Sequence, residues 1–419
     1  MWNVLVLGGG GRESALAWKL RQSPKCGELF VLPGNGGTEA FKPDEEVKDD
    51  DFESIAQFCK DRSIDLVVVG PEQPLIDGIS NYLEQKGIAV FGPQSEAAQL
   101  EGSKSYAKAF MQRYQIPTAS ARKFDHSSII EGMDFIREQE PPVVLKADGL
   151  AAGKGVLIEK DIKSALFSFE EMLGGKFGDA SNSVLVEQFL DGKEFSVFAL
   201  TDGQDYRILP VSKDYKRVGE GDKGLNTGGM GAVSPVPFVD EQLMKKVEDR
   251  IVRPTIEGLS NEKMDYRGVL FFGLIAVKGE PYVIEYNCRF GDPETEVVLP
   301  LIDSDLLSHL MACSKKTLSR EVIRLSGRAC TTIVLASGGY PGPYEKGKVI
   351  DLPSTQEDIV IFQAGTRKDE EKLLTNGGRV MAVTAIADDY KAALKKSYNC
   401  IQEISFERMY YRKDIGFDL

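Results

Sequence analysis

Histidine is nearly missing: two imidazoles, His126 and His309, stand far apart in 419 residues. So isolated, they build neither a zinc centre nor a Ser-His-Asp triad; both are read as structural, and hydrolases that rely on such sites are excluded. Cysteine is also thin. Cys26, Cys59, Cys288, Cys313, Cys330 and Cys400 lack the close spacing of a metal or redox motif and read as reduced, buried thiols of a cytosolic protein. No basic run offsets the formal net charge of −13. Nucleic acid is therefore not expected as a partner, because its phosphates need clustered Lys and Arg. Any anionic ligand must be met by a local group of donors inside a cleft. Long apolar stretches are lacking too, and the chain opens on a strand pattern at residues 2–7 rather than on a signal segment. No membrane association and a cytoplasmic location are expected.

What is present, 42% apolar and 27% charged residues, is ordinary for a soluble globular protein. The length suggests roughly two to four domains. Through the first hundred residues, apolar runs at 4–7, 29–32, 66–69 and 88–91 alternate with helical patterns. That alternation predicts a doubly wound parallel sheet with helices on both faces. The runs end in the turns Gly8-Gly9-Gly10-Gly11, Pro33-Gly34-Asn35-Gly36-Gly37, Gly70-Pro71-Glu72 and Gly92-Pro93, which should line the crevice at the carboxyl ends of the strands. The first turn is not a dinucleotide fingerprint, since its third glycine position falls on Glu13 or Ser14 depending on the frame. The second strand also lacks a terminal acid for a ribose hydroxyl. Four glycines at a helix start still predict an anion cradle, the alternative being a tight turn and nothing more.

Beyond residue 101 a helix is expected over 103–114, then a break at Pro117 and antiparallel strands; a further unit begins near Gly327, with strands at 330–335 and 380–385. The run Pro142 to Ile158, containing Lys146-Ala147-Asp148-Gly149-Leu150-Ala151-Ala152-Gly153-Lys154-Gly155, is no P-loop: its spacing is short, Gly155 replaces the Ser or Thr, and a strand follows. Strand, glycine loop, strand makes a hairpin whose tip can fold over a triphosphate and offer backbone N–H groups. Lys146 would reach phosphate as a point charge. A glycine-rich solvent loop is the plainer alternative, but an apolar strand follows with Glu187 and Glu194 near its end, acceptors suited to an adenine amino group and ribose hydroxyls.

Strand alternation over 281–289 puts Glu285, Asn287 and Arg289 on one face. A carboxylate and an amide oxygen are hard ligands for Mg²⁺ shared with phosphate oxygens, and Arg289 is a clamp for carboxylate or phosphate. The loop 224–232, after the charged run Lys213-Asp214-Tyr215-Lys216-Arg217, reads as rich in free N–H groups and able to hold an anion.

These residues carry a resemblance. The chain resembles the phosphoribosylamine–glycine ligases, or glycinamide ribonucleotide synthetases, of the ATP-grasp superfamily. The likeness runs almost end to end through Gly11-Arg12-Glu13, Pro33-Gly34-Asn35, Val69-Gly70-Pro71-Glu72, Leu100-Glu101-Gly102-Ser103-Lys104, the Lys146 to Gly155 run, Asn226-Thr227-Gly228-Gly229-Met230-Gly231, Asn287 to Thr295 and Tyr411 to Gly416. It implies an α/β and α+β multidomain protein. An N-terminal parallel-sheet domain would span 1–100, an ATP-grasp region 101–325 with a clamping subdomain at about 122–190, and a small β-rich domain 326–419. It further implies ligation of glycine to 5-phosphoribosylamine with ATP and Mg²⁺ or Mn²⁺ through a glycyl phosphate, by a monomer.

On the same resemblance Lys104, Lys146, Gly149, Gly153, Lys154 and Gly155 hold the ATP phosphates, Glu187, Gln188, Phe189 and Leu190 the adenine, and Glu194 the ribose. Glu285 and Asn287 ligate the metal, while Arg289, Lys146 and Asp292 serve the chemistry. Gly9, Gly10, Gly11, Glu13, Asn35 and Glu72 belong to the phosphoribosylamine side, with Asp214, Lys216, Arg217, Asn226, Thr227, Gly228 and Arg289 closing over it. Three positions depart from the usual family pattern: Ser14 and Tyr215 stand where His is frequent, and Glu296 where Gln is. The strand before Glu285 carries no second metal carboxylate, so a sparser site is expected. Rival readings are a different ATP-grasp ligase or carboxylase, and a regulator that binds ATP without turnover.

Overall fold

The computed structural model describes the whole chain apart from residues 46, 49, 152–154 and 355. Four parallel strands, β1 (Trp2–Gly8), β2 (Cys26–Pro33), β3 (Leu66–Val69) and β4 (Val90–Phe91), form the first sheet in the order β2-β1-β3-β4. Their apolar runs are unbroken because both faces are covered. Val4 and Val6 join one core beneath helix Gly11–Arg21, whereas Leu5 and Leu7 join another with Ile55, Phe58, Ile79 and Leu83 from the helices opposite. The fourth run is shorter than the sequence suggests, since only Val90 and Phe91 enter the ladder.

Helix Lys104–Arg113 starts on Ser103, whose hydroxyl accepts from the Tyr106 N–H as an N-cap. An antiparallel sheet follows in the order β5-β8-β6-β7, made of β5 (Ala121–Asp125), β6 (Val143–Ala147), β7 (Val156–Glu159) and β8 (Ser183–Gln188). The hairpin expected around the glycine loop is therefore β6 and β7, with Lys146 opposite Val156. A second antiparallel sheet, β10-β9-β15-β16, comprises β9 (Lys193–Thr201), β10 (Tyr206–Ile208), β15 (Gly268–Val277) and β16 (Glu280–Asn287). Phe198 and Phe271 pack with ring centroids 4.7 Å apart on one of its faces.

The last large sheet departs from the boundary at residue 326. Its path β11-β14-β17-β21-β18 takes β11 (Lys213–Asp214) and β14 (Gly231–Ser234) from the central region and pairs them with β17 (Ala329–Ser337), β21 (Arg379–Ala387) and β18 (Ile359–Gln363); β22 (Met409–Tyr410) adds to β17. An unpaired β17 edge would leave a row of backbone groups unsatisfied, and β14 supplies the missing ladder, with β11 added outside it. Two ribbons complete the strands: β12 (Arg217–Gly219) with β13 (Lys223–Asn226), and β19 (Thr366–Asp369) with β20 (Lys372–Thr375).

Candidate active site

Strand β16 carries the centre of the site, and a bulge aims it. Gly273 pairs with Glu285 but Leu274 pairs with Val283, so Ile284 is an extra residue. Before the bulge Pro281 and Val283 face the core; after it Tyr286 and Cys288 do. Without this change of phase, Glu285, Asn287 and Arg289 would share the buried face. The carbonyl of Ile284 accepts from Lys146 Nζ at 3.2 Å, so one irregularity orients the carboxylate–amide pair and anchors Lys146.

Arg289 is engaged on nearly every edge. Its Nε is 3.0 Å from Glu72 Oε2, one terminal nitrogen donates to the Phe290 carbonyl at 3.1 Å, and the other lies 2.9 Å from Glu101 Oε1 and 3.4 Å from Asn287 Oδ1. Burial works against the Glu72 charge, yet the Arg289 and Arg12 guanidinium groups hold it below the usual carboxylate range. Burial pushes Glu101 upward, with Arg289 opposing. Glu294 is pushed up to about 8 by burial and by the nearby Asp214 charge.

The ammonium groups gather on the other side. Lys146 Nζ is 2.9 Å from Glu187 Oε2, Lys108 Nζ is 3.4 Å from Glu187 Oε1, and Lys104 Nζ donates to the Gly149 carbonyl at 3.2 Å. Burial lowers Lys104 despite Glu285 nearby. Gln188, Phe189 and Leu190 continue from the end of β8, with Gln188 exposed and its N–H bonded to the Ser120 carbonyl at 3.0 Å. Glu194 is exposed and reaches Lys216 Nζ at 3.3 Å, which is also 2.8 Å from Asp214 Oδ1. Gly149 donates to the Ala180 carbonyl at 3.0 Å and the Gly155 carbonyl accepts from Ala147, while Gly153 and Lys154 lie outside the described residues.

Two expected anion cradles are not open. The Gly10 N–H donates to Glu13 Oε2 at 2.6 Å and the Arg12 N–H to Asp292 Oδ2 at 3.3 Å, so the protein's own carboxylates cap this helix start. Asn35 Nδ2 ties the turn down through the Gly9 and Gly10 carbonyls at 3.0 and 3.3 Å. In the second loop, the N–H groups of residues 227 to 230 bond to the Lys216 carbonyl, the Tyr340 hydroxyl, the Thr227 hydroxyl and the Tyr215 carbonyl. This loop instead seats on the 292–293 turn, where a side chain at Gly229 would strike Pro293. Asn226 pairs with Arg217 in the β12–β13 ribbon, and the Arg217 guanidinium donates to the Gly224 carbonyl at 2.9 Å within the same ribbon.

Several residues to which sequence reasoning assigns no role complete the site. Arg12 joins Glu13 at 2.5 Å and the Phe290 carbonyl at 3.1 Å, and Arg379 joins Asp292 Oδ1 at 3.0 Å and the Gly228 carbonyl at 2.8 Å. The Asp148 carboxylate takes the Ser105 N–H and hydroxyl at 2.8 and 2.7 Å, the Ser103 and Ser183 hydroxyls, and Lys123 at 2.9 Å. It locks the foot of the glycine loop to helix Lys104–Arg113, and these donors hold it down at about 2 against the effect of burial. Lys108 had a signal: it follows Lys104 by four residues and so shares its helical face.

Among the described residues no group of three or more His, Cys, Asp and Glu is arranged to hold a metal ion. A Glu285–Asn287 pair nevertheless has the chemistry of a partial hard-ion site, whose other ligands would be phosphate oxygens and water. Among the described residues Asn287 Oδ1 has only the one long contact to Arg289, leaving acceptor capacity for a cation.

Comparison with known proteins gives this arrangement a family. Residues 2–101 match the family described as phosphoribosylglycinamide synthetase, N domain; residues 102–295 match its ATP-grasp (A) domain; and residues 330–418 match its C domain. A phosphoribosylamine–glycine ligase of a Nostoc species is 46% identical over 99% of both chains, and one from Vibrio vulnificus is 43% identical over 99% of this chain and 98% of its own. The crystal structure of a Thermotoga maritima phosphoribosylamine–glycine ligase superposes with a TM-score of 0.87 at 35% identity, covering 98% of this chain and 99% of that one. The biotin carboxylase domain of a Hydrogenobacter thermophilus 2-oxoglutarate carboxylase, at 16% identity and a TM-score of 0.73 over 98% of this chain and 91% of its own, shares the fold. The chain belongs to the phosphoribosylglycinamide synthetase family, with its N, ATP-grasp and C domains in order.

Proposed function

We propose that the protein joins glycine to 5-phosphoribosylamine in purine biosynthesis, giving glycinamide ribonucleotide, ADP and phosphate. A glycine carboxylate oxygen attacks the γ-phosphorus of ATP and ADP leaves. The amine nitrogen then attacks the carbonyl carbon of glycyl phosphate, phosphate departs, and the nitrogen loses a proton. The observation that carries the reading is that Lys146 bonds to strand β16 at the Ile284 carbonyl, beside Glu285, Asn287 and Arg289. Phosphoryl transfer of this kind needs positioning and charge stabilisation more than covalent help.

On this reading Lys104, Lys146 and the 149–155 loop take the phosphates, Glu187 to Leu190 the adenine and Glu194 the ribose. Glu285 and Asn287 hold Mg²⁺ or Mn²⁺, whose bound charge offsets that of the phosphate oxygens. Arg289 releases Glu72, its more exposed partner, to clamp the glycyl carboxylate, and Asp292 keeps Arg12 and Arg379 in place around it. Gly9 to Gly11, Glu13, Asn35 and Glu72 shape the phosphoribosylamine side, and Asp214, Lys216, Arg217 and Asn226 to Gly228 cover it. One chain supplies every residue named, so a monomer suffices. No described helix is long and apolar enough to cross a membrane, and a cytoplasmic location is part of the proposal. ADP formation measured with Mg-ATP, glycine and phosphoribosylamine generated in situ should require both substrates. ATP binding without that dependence would favour a regulator, and dependence on another acceptor would favour a different ligase.

A further inference from the structure

Glu187 lies between the buried Lys146 and the partly buried Lys108 ammonium groups, yet among the described residues its Oε1 makes no hydrogen bond. It is 4% exposed and Lys146 is 5% exposed. The two lysines are not equivalent. Among the described residues Lys146 Nζ otherwise holds only the bulge carbonyl of Ile284, a single bond to exchange for one to a phosphate. Lys108 Nζ is fastened by donating to the Thr118 hydroxyl at 2.8 Å and the Ala119 carbonyl at 2.9 Å. Thr118 is itself fixed to β16 by its hydroxyl on the Val283 carbonyl at 2.7 Å. Lys108 therefore keeps its place whatever Lys146 does.

We propose that Lys108 sets the base specificity of the nucleotide site by keeping Glu187 an ionised acceptor once Lys146 has turned to the triphosphate, an inference that rests on the placement of adenine against Glu187. A buried carboxylate stripped of its last counter-ion takes up a proton. Ionised, Oε1 accepts from the exocyclic amino group of adenine and opposes the carbonyl of hypoxanthine. Protonated, the same carboxyl donates to that carbonyl, and the discrimination is lost. Burial pulls the Lys108 ammonium down to about 8, with Glu187 supporting its charge, so it remains a cation at neutral pH.

The test compares ATP with inosine triphosphate in wild type, Lys108→Met, Lys108→Gln and Lys108→Arg at fixed glycine and phosphoribosylamine. Wild type should prefer ATP by about a hundredfold in kcat/KM, the scale of a hydrogen bond to a buried charged group. Lys108→Met should lower that ratio by about tenfold or more through KM for both nucleotides, and Lys108→Arg should restore it. Lys108→Gln can still donate to Thr118 and Ala119 and should lose the ratio as Met does, which keeps the result readable if the Met variant folds poorly. An unchanged ratio in both neutral variants overturns the proposal, as does a wild type indifferent to the base. Either outcome leaves the dependence of nucleotide cleavage on glycine and phosphoribosylamine, which tests the function itself, untouched.

Discussion

Burial and crowding act together on Glu296. It is 1% exposed, its Oε2 has no hydrogen-bond partner among the described residues, and a side chain at Gly11 would strike its Oε1. Burial and the Asp292 charge push its carboxyl well above the usual range, with Arg379 only partly opposing. The proton therefore stabilises the folded state. Relative to an unfolded value of about 4.3, that contribution is complete below this pH and is lost as pH rises towards the raised folded value. Glu296→Gln carries the equivalent of the protonated form at every pH, so its thermal midpoint should exceed wild type at pH 8 and converge with it near pH 4. Melting curves across that range showing parallel slopes would refute this. The other two departures have local accounts. The Ser14 hydroxyl donates to the Gln363 carbonyl at 2.5 Å and accepts from Asn35 at 3.0 Å, joining the first sheet to β18. Tyr215 points away from the cleft, donating to Asp418 at 2.8 Å with the Arg412 guanidinium 5.3 Å from its ring.

At the scale of elements, the β16 bulge and the Asp148 lock are the features on which geometry turns. Gly273 faces Glu285 across the bulge, and a β-carbon there would lie 3.0 Å from Glu285 Cγ. Gly273→Val should displace the carboxylate and raise the Mg²⁺ concentration for half-maximal activity by about tenfold or more, the usual penalty for disturbing a metal ligand's support. A metal titration with unchanged midpoint would remove Glu285 from the metal site. Asp148→Asn should cost about 1–3 kcal/mol of stability because several partly buried donors lose their charged acceptor. The sign with pH is opposite to that of Glu296: the contribution is present above about 3.9 and is lost as pH falls towards the folded value of about 2. Denaturant melts at pH 7 and pH 2.5 check both points, the mutant penalty shrinking at the lower pH.

Across the whole molecule, legibility followed sequence distance. The parallel strands were readable because Val4 to Leu7 and Leu66 to Val69 are short apolar runs bounded by glycine, and the β6–β7 hairpin because its loop and both strands are contiguous. The bulge was not, since alternation carries no mark of one extra residue until its partner strand is known. The cradles assumed open at Gly10 and Gly228 were only partly testable: Glu13 and the Thr227 hydroxyl are local, whereas Asp292, which takes the Arg12 N–H, and Tyr340 come from distant segments. The charge network is hidden for the same reason: Arg12, Glu72, Glu101, Arg289 and Arg379 come from all three matched domains and meet around one turn. Their meeting places three guanidinium groups where the domains join, each held against a carboxylate, in a chain of net charge −13.

The central claim, that glycine is activated as an acyl phosphate, can be read from atoms. With glycine carrying ¹⁸O in its carboxylate, each turnover should place one ¹⁸O in the inorganic phosphate released and leave the other in the amide of the product, which mass spectrometry of both species resolves. Phosphate released without the label, alongside labelled amide, would contradict a glycyl phosphate intermediate.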